Sequence, residues 1–212
     1  MWEKWKRWDL PTNVKINNRT YEIESDFRVV LRIFEALNDE ELLDMEKIDC
    51  AMYLFFPSYR EDENGNREML QEDVMDAFQC LSKFLSGNTD DTSSKKTKHV
   101  YDWEQDFNLI IAPINRIAGH DVRIDRYIHW WTFLSYFMEI GECTFSTYVS
   151  IRDKMARGKK LESWERELLK KNPDIRLKSK KDYHVEQLFD DLKKAELDRL
   201  EVQGEIDSLL GR

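Results

Sequence analysis

The sequence predicts a mainly α-helical fold: a multi-helix bundle with a small N-terminal β-hairpin and a long C-terminal helix. Three observations carry this. Breakers are scarce, with 7 Gly and 4 Pro in 212 residues, which leaves little room for the turns of an all-β fold. Apolar residues recur at three- and four-residue spacing along most of the chain. Strict alternation of apolar and polar residues is convincing only in VKINNRTYEI, residues 14–23.

The chain opens with Trp2, Trp5 and Trp8 set among Lys4, Lys6 and Arg7. Three large aromatics at a chain end either dock on the hairpin that follows or anchor a partner, since Trp and Arg are favoured anchor types. In the hairpin, Val14 and Ile16 face Tyr21 and Ile23 across Asn17-Asn18, residues that tolerate the positive φ of a tight turn. A first helix starts at Ser25 or Asp26 and carries Phe27, Val30, Leu31, Phe34 and Leu37. A second presents Leu42, Met45, Ile48, Met52 and Phe55 and stops at Pro57. A third runs from Met69 to Leu85 with Leu70, Val74, Ala77, Leu81 and Phe84 inward, and Gly87 ends it. Residues 87–98 hold no apolar side chain, so they are expected to form a flexible linker. The expected organisation is a hairpin-plus-helical module over 1–86, a linker over 87–100, a second helical module over 101–178 and a long amphipathic helix over 179–212.

The second module begins with VYDWEQDFNLIIAPINRIAG, where Asp102 is the expected cap, Pro113 the expected kink and Gly119 the end. The next helix contains IHWWTFLSYF, residues 128–137. Its aromatics suit a ligand stack, a metal site or a core. Tyr127, Trp130, Trp131, Leu134 and Met138 fall at helical spacing, and His129 has no second ligand at a spacing such as H-x-x-x-H. The core reading is therefore preferred. A short helix follows with Phe145, Tyr148, Val149 and Met155. Charge then changes sharply: residues 152–181 hold 12 Lys+Arg against 5 Asp+Glu, and residues 182–212 hold 4 against 9. In that last segment Val185, Leu192, Arg199 and Ile206 occupy one heptad position and Leu188, Ala195, Val202 and Leu209 the other. Two readings stay open, a coiled-coil seam that supports self-association and a helix folded back on the second module.

Net charge of −9 argues against a general nucleic-acid binder or an anionic membrane surface. No uncharged apolar run approaches the roughly 18 residues of a membrane span, and the start lacks the apolar stretch of a secretory signal. A soluble, intracellular protein is expected, with Cys50, Cys80 and Cys143 as free thiols. No phosphate-loop, dinucleotide, serine-hydrolase or zinc-protease motif occurs. Asp102 and Asp106 share a helix face, which leaves a magnesium-dependent nuclease as a remote alternative, yet helix starts attract acidic residues anyway. The basic stretch with Trp164 reads as a solvated face more readily than as a phosphate-backbone contact. No catalytic residue, metal site or cofactor is expected.

LPTNVKINNRTYEIESDFRVVLRIFEAL resembles the opening of the bacteriophage gene-product-fifteen family, with its Leu-Pro lead-in, hairpin and helix start at Asp26, Phe27 and Arg28. YDWEQDFNLIIAPINRIAGHDV is similar to the family's acidic-aromatic helix through Tyr101, Trp103 and Asp106, and YIHWWTFLSYF to its helix bearing His129, Trp130 and Trp131. The resemblance spans about residues 10–158; the Trp-rich start and the acidic segment 182–210 lie outside it. It implies a protein encoded between the tail-tube and tape-measure genes of tailed phages and prophages. Such a protein would be a non-virion tail assembly chaperone in the bacterial host cytoplasm, with the tape-measure and tail-tube proteins as partners. A structural tail or connector component retained in the virion is the alternative. Candidate partner-binding residues are Trp2, Trp5, Trp8, Leu188, Leu192, Val202, Ile206 and Leu209. Met45, Met52, Met69 and Met75 suit an adaptable surface or, by default, a core.

Overall fold

A computed structural model describes residues 3–6, 8–88, 100–178 and Lys194. Trp2, the segment 89–99 and the predicted C-terminal helix with Leu188, Leu192, Val202, Ile206 and Leu209 lie outside the described residues. Seven α-helices and one antiparallel hairpin make up the described elements, together with four short 3-10 turns, so the fold is mainly helical with a small hairpin, as the breaker count implied.

Strands β1 (Asn13–Ile16) and β2 (Arg19–Glu22) pair with Val14 opposite Tyr21. Asn17 and Asn18 turn the chain with φ of 47° and 66°, the left-handed values that asparagine tolerates. Val14, Ile16 and Tyr21 all point into the core, and Ile23 beyond β2 joins them. Below the turn, Asp73 is fully buried. It accepts the Tyr21 hydroxyl at 2.5 Å, Asn17 Nδ2 at 2.7 Å and Arg19 Nη1 at 2.7 Å. Burial pushes the Asp73 carboxyl up, but these hydrogen bonds outweigh it and hold its pKa below the usual range.

Helix α1 (Phe27–Leu37) starts where the Asp26 side chain accepts the Arg28 N–H, and buries Phe27, Val30, Ile33 and Leu37. Helix α2 (Asp44–Phe55) packs along it. Leu43 N–H donates to the Glu46 carboxylate at 2.7 Å, which fixes the α2 start. Because that helix begins at Asp44, the predicted stripe holds only from Ile48 onward. Leu42 precedes the helix and Met45 stays exposed, while the inner face takes Ala51 and the Lys47 side chain instead. A 3-10 turn at Gln71–Asp73 precedes α3 (Val74–Leu85), so this helix starts later than Met69 and Leu70 is left in solvent.

Helix α4 (Phe107–Ala118) is capped at Asp106, not Asp102, and ends at Gly119 with φ of 80°. Asp102 Oδ1 is taken up one turn earlier, by the amides of Glu104 and Gln105. Helix α5 (Trp130–Met138) has His129 as its N-cap. That start shifts the predicted stripe. Tyr127 precedes the helix and is half exposed, Met138 is exposed, and the buried face is Trp130, Trp131 and Phe133. Helix α6 (Thr144–Ala156) buries Phe145, Ile151 and Arg152, and α7 (Ser163–Lys171) buries Glu165. Buried residues from both sides of segment 89–99 form one continuous core.

Candidate functional site

The motif residues singled out in the sequence meet in space, and each has a structural task. Residues 25–27 and 128–130 form a short antiparallel clasp. Phe27 N–H donates to Ile128 O at 3.0 Å and Trp130 N–H to Ser25 O at 2.7 Å. Asp26 closes the clasp, accepting both the Arg28 N–H at 2.9 Å and the Ile128 N–H at 3.2 Å. Arg28 reaches across to the carbonyls of Asp125 and Arg126. Behind the clasp, the Phe27 and Phe133 rings stack with centroids 4.4 Å apart.

His129 Nδ1 accepts the Trp131 N–H at 3.0 Å, so the Nε2 atom carries the proton and donates to Pro11 O at 3.1 Å. Burial lowers the His129 pKa, against the opposing effect of the Pro11 contact, and a neutral ring suits a helix N-cap. The two indoles beside it fasten the end of α3: Trp130 Nε1 donates to Leu85 O at 3.1 Å and Trp131 Nε1 to Phe84 O at 3.0 Å. Both carbonyls lie in the last turn of α3, where intrahelical partners run out, and Phe84 O also accepts the Gly87 N–H at 3.0 Å. Trp103 packs edge-on against Trp130 and tilted against Phe137, and Tyr101 adjoins both Trp103 and Phe137. IHWW is thus core and helix-end hardware. Trp130 and Trp131 pack against neighbouring rings and are almost entirely covered.

Among the described residues Asp106 forms the most buried ion pair. Its carboxylate accepts Arg152 Nη1 at 2.6 Å and Nη2 at 2.9 Å, with both side chains almost entirely covered. Arg152 also donates to the carbonyls of Ile175 and Val100, tying α4, α6 and the 173–175 turn together. A divalent ion at Asp102 and Asp106 would have to displace a bidentate guanidinium and two helix-start amides. Among the described residues no cluster of three or more potential metal ligands occurs. The sequence reading placed Arg152 in a solvated basic stretch. Phase along α6 held the missed signal, since Phe145, Val149 and Arg152 fall at i, i+4 and i+7. Other charges of that stretch are also paired locally: Lys154 with Glu165 at 2.5 Å, Arg157 with Asp153 and Lys171 with Glu167, each at 2.7 Å.

The tryptophans of the N-terminus separate. Trp5 lies edge-on to Phe84 and Trp131, with centroids 5.8 and 5.7 Å away, and its indole donates to Asn13 O. Trp8 is 80% exposed. Of the methionines, Met52 and Met69 are buried and Met45 is exposed.

A groove of about 470 Å³ lies between α1 and the 102–107 turn. Leu31, Phe34, Trp103 and Phe107 give it an apolar floor, while Arg28, Arg32, Glu35, Glu104 and Arg123 stand around it. The sequence reading had Leu31 and Phe34 inside. They are only partly buried because the inner face of α1 turns on Val30 and Ile33, leaving these two on its flank. An apolar trough with charged edges accepts the apolar face of an amphipathic helix. Among the described residues no helix is long and apolar enough to cross a membrane.

A family model described as Bacteriophage Gp15 protein matches residues 8–176. No curated protein and no solved structure matches the chain.

Proposed function

This chain belongs to the Bacteriophage Gp15 protein family, and on that premise we propose that it is a tail assembly chaperone acting in the cytoplasm of the bacterial host. Its client is the tape-measure protein, held soluble while tail-tube subunits assemble around it. The role is one of binding without catalysis and calls for no metal or cofactor. Family membership carries this reading. The α1 groove supports it, because a long helical client with apolar stripes aggregates unless those stripes are covered, and Leu31, Phe34, Trp103 and Phe107 offer a matching trough. Many copies along one client add avidity to modest single contacts. The net charge of −9 keeps such a coated complex dispersed.

Co-expression with the tape-measure protein of the same phage or prophage tests the proposal. The client's soluble fraction should rise and the two should co-purify. A client that stays insoluble with no complex formed refutes it. Mass spectrometry of purified virions should lack this chain, and its presence there would replace the chaperone role with that of a structural tail component.

A further inference from the structure

We propose that the groove between α1 and the 102–107 turn takes one amphipathic helical stretch of the client in one direction, with an acidic side chain facing Arg32 and a basic one, a turn further on, facing Glu35 and Glu104. The proposal rests on the chaperone reading for the client's identity and adds the chemistry that the groove selects. The floor supplies no direction. Leu31, Phe34, Trp103 and Phe107 are partly buried apolar side chains, and an apolar stripe packs on such a floor either way round. Charge supplies the direction.

The charges are sorted along α1. Arg28, Arg32, Glu35 and Asn38 all line the groove, and they mark about 15 Å of helix with the arginines at its start. Arg123 stands at that same end, since Arg28 holds the carbonyls of Asp125 and Arg126, which closely follow Arg123 in the chain. The other end is acidic. The Phe34 and Trp103 rings lie 6.3 Å apart, and their chain neighbours Glu35 and Glu104 line the groove beside them. Some of these charges are already committed. Arg28 pairs with Asp26 at 3.2 Å and Arg123 with Asp121 at 2.6 Å. Arg32 and Glu35 are exposed, and among the described residues neither has an ion pair. They neighbour each other along α1, so a docked helix meets them with side chains spaced three or four positions apart. In the matched direction it gains two attractive pairs, and reversed it meets two like-charge contacts. Each is small at an exposed site, and together they favour the matched direction by roughly five- to thirtyfold. Successive copies on a client whose stripes repeat this charge order therefore face the same way.

The test uses the full-length chain and two synthetic helical peptides of about 18 residues. Both carry a Leu stripe and a benzophenone at the N-terminus. One has Glu four residues before Lys beside the stripe, the other has the two exchanged, and the remaining flanking positions are Gln. After irradiation, peptide mapping should place the first benzophenone at the Arg28 and Arg123 end and the second at the Asn38 end, each in roughly five- to thirtyfold excess over the opposite end. The double reversal R32E/E35K, at two exposed positions, leaves net charge unchanged and should exchange the two maps, with circular dichroism retained. One map shared by both peptides, equal labelling of both ends, or no labelling of the groove would each overturn the inference. So would maps that R32E/E35K leaves as they were. The peptides hold no tape-measure sequence. Failure here therefore leaves the co-expression result standing, and a client that stays insoluble leaves the peptide maps standing.

Discussion

Removing the Asp106 carboxylate tests whether the Arg152 pair holds α4, α6 and the 173–175 turn as one body. Asp106→Ala leaves a guanidinium with 4% side-chain exposure still facing three backbone carbonyls but without its counter-charge. Each charge-assisted hydrogen bond is worth about 1.5–3 kcal/mol net, and three are lost, two from Arg152 and one from the Asp102 N–H, less the desolvation that the pair no longer has to overcome. Breaking one side of a buried pair costs about 3–5 kcal/mol in comparable cases. A native fold is stable by only ~5–15 kcal/mol, so the loss is a large fraction of the whole. For a chain of this size 1 kcal/mol moves Tm by ~2–4 °C, giving an expected fall of ~6–20 °C. Urea denaturation followed by circular dichroism gives the free energy directly. The double variant Asp106→Ala/Arg152→Ala should lose less than the two single variants together, by ~0.5–3 kcal/mol of coupling. A loss below about 1 kcal/mol for Asp106→Ala, or strict additivity, would refute the assignment of this pair as a structural tie and return Asp106 to the pool of functional carboxylates.

Trp5→Ala should destabilise by ~1–3 kcal/mol through its two ring contacts, whereas Trp8→Ala should stay within ~0.5 kcal/mol; equal effects in thermal melts would contradict the separation of the two. Asp73→Ala leaves the buried Tyr21 hydroxyl without its acceptor and should cost ~1–3 kcal/mol, read as a lower urea midpoint with unchanged slope. Because burial holds the His129 pKa below 6.5, the unfolded chain takes up that proton first as pH falls. Its contribution is therefore complete above about pH 6.5 and declines as pH drops toward the folded-state value. His129→Gln should flatten the fall of Tm over that range, and an unchanged slope would show that His129 does not contribute to it.

The hairpin and α1 to α6 were legible because period and breakers are local properties, whereas α7 was not, since its mostly charged sequence shows no apolar stripe. The start of α1 was read correctly from Ser25-Asp26 followed by the Phe27, Val30 stripe, since cap and stripe agree there. The errors came where a cap sets the phase. His129 as N-cap moved α5 to Trp130 and took Tyr127 off the buried face. Asp102 and Asp106 compete as caps, and Asp106 wins the helix while Asp102 closes the turn before it. Arg152 and Asp73 were missed as buried hubs because a charged residue carries no sign in sequence that its partner lies 46 or 52 positions away. The aromatic motif was legible as core, but not as the fastener of α3, since indole donors and open carbonyls meet only in the folded chain. The groove was invisible for a related reason. Leu31 and Phe34 fit the α1 stripe by spacing, and only the angle at which α1 packs leaves them on its flank.

The clasp between residues 25–27 and 128–130, together with the two indoles on Phe84 and Leu85, also sets an order of events during synthesis. The hairpin and α1 to α3 are complete once residue 88 has left the ribosome. The carbonyls at the end of α3 and the face of Phe27 still wait for Trp130, Trp131 and Phe133, more than 40 residues later. At ~5–20 residues per second of elongation that wait lasts on the order of a few seconds. During it the nascent chain carries an unsealed apolar seam. The segment 89–99, with no apolar side chain of its own, adds nothing to that seam while the ribosome brings its closing half into reach.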